Sequence, residues 1–218
     1  MPQEIEIKLK IDDVKTLRRA LKRLGARPVG SASGRAHQWN VIFDTPDGGL
    51  AKHGQLLRIR TETPQLAGRR LKSNKKQRTL LTFKRPVSSG KAHSGSAGEN
   101  HRHKVREELE LEFADPVTLT RILEGLGMRG WFRYEKYRTT YRLPASSAWA
   151  RGLLIELDET PIGVYVELEG PSTAIDRAAQ ELGFSRREYI LKNYLVLYVE
   201  ACRKQGKEPR DMVFAPED

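Results

Sequence analysis

In the run Glu4-Ile5-Glu6-Ile7-Lys8-Leu9 every second residue is charged and the residues between are aliphatic. Side chains on a strand point alternately to opposite faces. One face of this segment therefore carries two carboxylates and an ammonium, and the other is continuously apolar. The pattern returns in Leu56-Leu57-Arg58-Ile59-Arg60, in Leu80-Leu81-Thr82-Phe83-Lys84, and over 105–113, 133–142, 152–159 and 163–169. Gathered on one face are Glu4, Glu6, Lys8, Arg58, Arg60, Lys84, Arg106, Glu108, Glu110, Lys136, Arg138, Glu156, Asp158, Glu167 and Glu169. Any one of these strands alone would show its polar face to water. Taken together they contain hardly a Ser, Gln or Asn, which a merely solvated face would include. Closure into a barrel, with charges inside and apolar groups outside under helices, accounts for both faces. About eight strands suffice to close around one small ligand. The expected fold is α+β: a closed, mainly antiparallel β-barrel with a charged interior and helices packed outside, since most connections are short.

The intervening segments supply the helices. Asp12 or Asp13 caps a helix near 13–24, with Val14, Leu17, Leu21 and Leu24 on one face and Gly25 at its end. A strand at 37–43 leads into the turn Asp44-Thr45-Pro46-Asp47-Gly48-Gly49. Helices are predicted at 116–126, about 172–182 and about 187–205. Shifted by 102, the chain lays residues 6–25 on 108–127, matching Glu6/Glu108, Asp13/Asp115, Thr16/Thr118, Leu17/Leu119 and Gly25/Gly127. A shift of 98 sets Gln38 on Lys136, Asn40 on Arg138, Arg58 on Glu156 and Arg60 on Asp158. Two related halves of about four strands each, joined into one sheet, are implied. One domain over 1–205 and a polar tail over 206–218 are expected, with basic loop insertions at about 61–79 and 86–104.

Of the net charge of +11, residues 61–104 contribute +9, from eleven Lys or Arg against Glu62 and Glu99. The excess is local, so a global footprint for nucleic acid is absent. No run of about 18 apolar residues suggests a membrane span. No basic start followed by an apolar stretch suggests a secretory signal. The lone Cys202 fits a reducing compartment. A cytoplasmic protein is expected, and a homodimer is compatible with the aliphatic outer faces.

Seven cations and eight carboxylates inside one barrel allow two readings. They could neutralise one another as a salt-bridge lattice, since buried charges persist only when paired or bound to metal. Alternatively the cations cradle an oligophosphate while the acids hold divalent ions; hard oxygen ligands select Mg2+ or Mn2+. His93, His101 and His103 lack zinc spacing and read as solvated loop residues.

These motifs resemble the CYTH superfamily, the triphosphate tunnel metalloenzymes that include class IV adenylyl cyclases, thiamine triphosphatases and inorganic triphosphatases. The Glu-x-Glu-x-Lys signature stands as Glu4, Glu6 and Lys8, followed by Phe-Asp-Thr-Pro at 43–46 and Leu-Arg-x-Arg with Arg58 and Arg60. Thr-x-Lys gives Lys84, Arg-x-Glu-x-Glu gives Arg106, Glu108 and Glu110, and Lys-x-Arg gives Lys136 and Arg138. Glu156 and Asp158 stand in a Glu-Leu-Asp strand, and Glu167 and Glu169 in Val-Glu-Leu-Glu-Gly. The family's Lys-Ser-Tyr appears as Lys192-Asn193-Tyr194, without the hydroxyl at 193.

The resemblance implies that Glu4, Glu6, Glu156, Asp158, Glu167 and Glu169 are metal ligands. It implies that Lys8, Arg58, Arg60, Lys84, Arg106, Lys136 and Arg138 grip a triphosphate. It further implies catalytic roles for Lys8, Lys84, Asp158, Glu108 and Glu110. The expected activity is metal-dependent hydrolysis of a small-molecule triphosphate. Cyclisation of ATP and non-catalytic polyphosphate binding are the alternatives, because the lining alone does not separate them. Trp39, Trp131 and Phe132 are candidates for stacking at the tunnel mouth or for packing.

Overall fold

Among the described residues nine antiparallel strands form one sheet, and eight of them close on themselves. The computed structural model describes residues 3–30, 34–65, 77–87 and 103–215. In chain order these residues form β1 (Gln3–Ile11), α1 (Val14–Arg23), β2 (Arg27–Pro28), β3 (Arg35–Asp44), α2 (Gly49–Lys52), β4 (Leu56–Pro64) and β5 (Arg78–Pro86). They continue with β6 (Lys104–Phe113), α3 (Pro116–Gly125), β7 (Arg129–Arg142), β8 (Leu154–Thr160), β9 (Gly163–Glu169), α4 (Ser172–Glu181) and α5 (Tyr194–Lys204). The barrel runs β7-β3-β4-β5-β6-β1-β9-β8, and β8 returns to β7 with Arg138 opposite Asp158. The short β2 adds to the end of β7.

The apolar faces point outward, as the alternation requires. Ile7 and Leu9 of β1, Ile155 and Leu157 of β8, and Val166 and Leu168 of β9 are buried beneath Leu17 and Leu21 of α1 and Ile175, Ala178 and Ala179 of α4. Each such aliphatic side chain contributes about 1.5–3 kcal/mol by leaving water. Across the barrel, Leu123 of α3 covers Phe43 and Ile59. A third cluster, Ile42, Phe132, Tyr134, Tyr165 and Tyr194, lies on inward-facing positions where α5 meets the barrel.

The repeat is visible in the helix starts. Asp13 Oδ1 accepts from the Lys15 and Thr16 amides while Oδ2 accepts from Thr16 Oγ1. Asp115 does the same with Val117 and Thr118, the Thr hydroxyl again 2.6 Å away. The same residues produce the same cap after β1 and after β6.

Four expectations need revision. The last helix begins at Tyr194, not near 187, because Ile190 exchanges both backbone hydrogen bonds with Lys8 at 2.9 Å. Residues Arg186–Glu188 form only a 3-10 turn, and Asn193 Oδ1 caps α5 through the Val196 amide. The 61–79 and 86–104 insertions are shorter than read, since β4 reaches Pro64, β5 spans Arg78–Pro86 and β6 starts at Lys104. Their middles, with His93 and His101, lie outside the described residues. His103 is not solvated: it is half-buried, with Nε2 2.9 Å from Asp176 Oδ1. Finally, the polar composition of the last residues conceals an anchor, because Met212 is fully buried and bridges β7 at Tyr134. No helix among the described residues is long and apolar enough to cross a membrane.

Candidate active site

The barrel encloses a cavity of about 740 Å³, within the range that holds a small polyvalent ligand. Fourteen of the fifteen predicted charged positions line it. The fifteenth, Asp158, has no exposure at all and lies beneath them. Period-two side chains on seven strands deliver this set, so the alternation seen in the sequence is the direct cause of the site.

Most of the charges are paired. Asp158 accepts from Lys136 Nζ at 2.7 Å, Arg138 Nε at 2.7 Å and Nη2 at 2.6 Å, and Tyr194 Oη at 2.7 Å. Burial resists its ionisation, but Arg138 and Lys136 hold the carboxyl below its usual range. Every oxygen of Asp158 is thereby committed to organising cations. Arg138 also pairs with Glu156 and with Glu167 at 2.5 Å. Burial opposes the charged form of Glu167 as well, yet Lys136, Lys8 and Arg138 keep it well below the carboxylate range. Lys8 lies 3.5 Å from Glu6 and 3.3 Å from Glu167. Lys84 bonds Glu4 at 2.6 Å and Glu108 at 3.1 Å, and Arg106 reaches Glu6 at 3.4 Å. Among the described residues Glu110 accepts from Thr82 Oγ1 at 3.2 Å and has no ion pair.

Apart from the exposed Glu110, two groups of the lining stand outside this lattice among the described residues. Arg58 is 5% exposed, yet no carboxylate lies within ion-pair distance among the described residues. Its partners are the neutral Tyr134 Oη at 3.0 Å and Thr82 Oγ1 at 3.2 Å, and its Nε has no acceptor. Glu169 is the converse. It lines the cavity without an ion pair or hydrogen bond among the described residues. Burial, and then the nearby carboxylates Glu156 and Glu4, push it up to about 8. Leaving the buried Arg58 guanidinium unmatched costs several kcal/mol, whereas Glu169 avoids that cost by keeping its proton at neutral pH. An anion would satisfy Arg58, and a cation would let Glu169 ionise.

A family model for the CYTH domain matches residues 2–198. The chain belongs to the CYTH family. No curated protein matches it. Among solved structures, it is similar to the PH1012 protein of Pyrococcus horikoshii (22% identity, 88% of this chain and 96% of that one, TM-score 0.60). Two further neighbours are described as putative adenylyl cyclases. One, from Vibrio parahaemolyticus, has 15% identity, covers 88% of this chain and 94% of its own, and gives a TM-score of 0.63. The other, HpAC1 from Hippeastrum, is described as revealing a dominant triphosphatase activity (23% identity, 94% and 97% covered, TM-score 0.50). At these identities the neighbours establish the shared fold.

The CYTH barrel also contains residues the sequence reading left out. Lys104, assigned there to a basic loop, donates to Glu6 at 2.7 Å inside the cavity. Burial brings its ammonium down to about 8. Gln38 and Glu62 line the cavity and bond each other at 2.8 Å. Asn40 accepts from Arg60 Nε at 3.1 Å. The repeat did carry a signal for Gln38 and Asn40, which it sets on Lys136 and Arg138. Period two along Arg58-x-Arg60 points to Glu62. Trp39 and Trp131 are 38% and 47% exposed and do not line the cavity, while Phe132 is buried in the inner apolar cluster.

Proposed function

We propose that this CYTH chain is a divalent-metal-dependent enzyme that hydrolyses a triphosphate inside the barrel. The observation that carries the reading is a pair of groups in one cavity without a counter-charge among the described residues: the buried guanidinium of Arg58 and the half-buried carboxyl of Glu169, which its surroundings keep largely protonated at neutral pH. A polyphosphate brings oxygens to Arg58, and a hard divalent cation suits carboxylates that repel each other when empty-handed.

Among the described residues no three carboxylate, imidazole or thiolate groups form a ready ligand shell. The donor set nonetheless fits Mg2+ or Mn2+ in its chemistry. Glu169 has no partner, and Glu4 Oε2 has no hydrogen-bond donor, its nearest cation being Arg106 at 3.7 Å. Glu4, Glu169 and Glu156, from β1, β9 and β8, are the residues that would hold the ion, with Glu6 and Glu167 available once Lys8 turns to the phosphates. Asp158 is left in the role of holding Lys136 and Arg138. When bound, such an ion neutralises developing phosphate charge and acidifies a water.

The chain's own residues supply the rest. Arg58, Arg60, Lys136 and Arg138 face the cavity with fixed donors, which phosphoryl transfer needs more than covalent chemistry. Arg60 is set by Asn40 and Glu62, and Arg138 by Asp158, so their geometry does not have to be organised during reaction. Lys84, between Glu4 and Glu108, is placed to move toward an anionic oxygen. Glu108 and Glu110 remain candidates to orient the attacking water. A purely polyphosphate-binding role is less consistent with Glu6 and Glu167, which stay ionised in the lining and repel phosphate unless a cation intervenes.

One panel tests the reading: inorganic tripolyphosphate, thiamine triphosphate and ATP with Mg2+ or Mn2+, products identified as phosphate, pyrophosphate or cyclic AMP. Phosphate release supports hydrolysis. Cyclic AMP with pyrophosphate would replace it by cyclisation, and no product from any substrate would overturn the enzymatic reading.

A further inference from the structure

Tyr134 is the inward-facing residue of β7 between Phe132 and Lys136, and the reaction as outlined gives it no part. It is 6% exposed and borders the cavity. Its ring stacks on Phe132 with centroids 5.9 Å apart, and its backbone carbonyl accepts from Asn40 Nδ2 at 3.3 Å. The hydroxyl oxygen accepts from Arg58 Nη1 at 3.0 Å. Among the described residues nothing accepts the hydroxyl proton. Tyr194, the other buried phenol of the lining, differs: its proton is donated to Asp158 Oδ2 at 2.7 Å.

The groups facing Tyr134 are Arg58 and Arg60 from β4 and Lys136 from β7, with the uncharged Asn40 on β3 and Tyr194 at the start of α5. No carboxylate lies within hydrogen-bond distance of the hydroxyl among the described residues. The proton is thus held in a cationic corner beside Arg58, a buried guanidinium with no carboxylate in ion-pair distance among the described residues. A donor left free next to an uncompensated cation is what an anionic oxygen would satisfy.

We propose that Tyr134 is an anion-contacting residue gated by its own protonation: the neutral phenol donates to the phosphate oxygen held by Arg58, and the phenolate turns that oxygen away. This rests on the reading that the barrel takes a polyphosphate. The chemistry of the corner supports the gating. Burial resists the phenolate, but Arg58, Arg60 and Lys136 together bring Tyr134 down to about 8. Tyr141, Tyr165, Tyr189, Tyr194 and Tyr198 are instead all pushed up. An arriving anion must raise the phenol's pKa, and by linkage ionisation of the phenol must weaken the anion to the same extent.

The test combines near-ultraviolet titration of tyrosinate with calorimetry. The probe is a hydrolysis-resistant imido analogue of inorganic triphosphate with magnesium. The free protein should show a tyrosinate step near pH 8 that moves up by about one unit or more at saturation. Tyr134→Phe should lose the step and bind about tenfold more weakly at pH 7, the loss expected for one hydrogen bond to a charged group. It should also lose the extra decline in affinity that the wild type shows above pH 8. Tight binding with an unmoved step, or equal binding by Tyr134→Phe, overturns the proposal and leaves the polyphosphate reading intact. Absence of binding by the wild type at any pH overturns both. If Tyr134→Phe does not fold, the wild-type titration with and without analogue decides alone.

Discussion

The two sides of the barrel lining carry the same kinds of residue and treat them differently. On β8 and β9, with β7 beside them, Asp158, Glu156 and Glu167 share Arg138 and Lys136, and every one of these charges is matched. On β4 and at the end of β9, Arg58 and Glu169 have no counter-charge within ion-pair distance among the described residues. The matched set explains how a barrel tolerates so many buried ions, and the unmatched pair supports the proposed role of the cavity. A lattice built only for stability would have no reason to leave one guanidinium and one carboxyl on the cavity wall without a counter-charge among the described residues.

Breaking the matched side should have the largest effect, and it should appear as stability. Asp158→Ala leaves Lys136 and Arg138 buried without their shared anion, and chemical denaturation should show a loss of about 3–5 kcal/mol. Removing the unmatched cation should act on turnover instead. Arg58→Ala should lower kcat/KM for the preferred triphosphate by about 100-fold, as loss of one preorganised donor does. Its melting temperature should hold or rise, since it removes an uncompensated charge. A large stability loss in Arg58→Ala would erase the distinction between the two sides. Glu169→Gln sharpens it from the acid side: manganese affinity, read by titration of the ion into the protein, should fall by about tenfold or ~1.4 kcal/mol.

The smallest effect lies outside the barrel. Asp176 accepts from His103, Tyr189 and Arg186. Burial works against its ionisation, but these three donors hold the carboxyl below its usual range. A depressed carboxyl contributes stability that is present at neutral pH and lost as the pH falls through and below the ordinary Asp range. Asp176→Asn should therefore cost about 1 kcal/mol at pH 7, and less in acid, by denaturant midpoints at the two pH values. Kinetics with the triphosphate should be unchanged.

The barrel was legible in the sequence because period two is strict there: Glu4, Glu6 and Lys8 alternate with the partly buried Ile5 and the fully buried Ile7 and Leu9 on the outer face. The lining was legible for the same reason. What escaped depends on contacts distant in sequence. Ile190 belongs to an apolar run that reads as helix, but Lys8 claims its backbone from 182 residues away. Lys104 sits at the end of a basic segment, and only the pairing of β6 with β1 brings it to Glu6. Met212 lies in a polar stretch whose anchoring on β7 has no local pattern. Most of all, charge composition cannot say which ions find partners. Asp158 and Glu169 occupy equivalent-looking positions in neighbouring strands, yet one is saturated by four hydrogen bonds and the other has none among the described residues.

That unequal pairing leads to the most direct test. Turnover of inorganic tripolyphosphate should be measured with Mg2+ or Mn2+ and again in excess chelator, using the same preparation. The account predicts phosphate release that requires the metal and falls to background in chelator. Full turnover in chelator would contradict it, because Glu169 and Glu4 would then have no cation to hold.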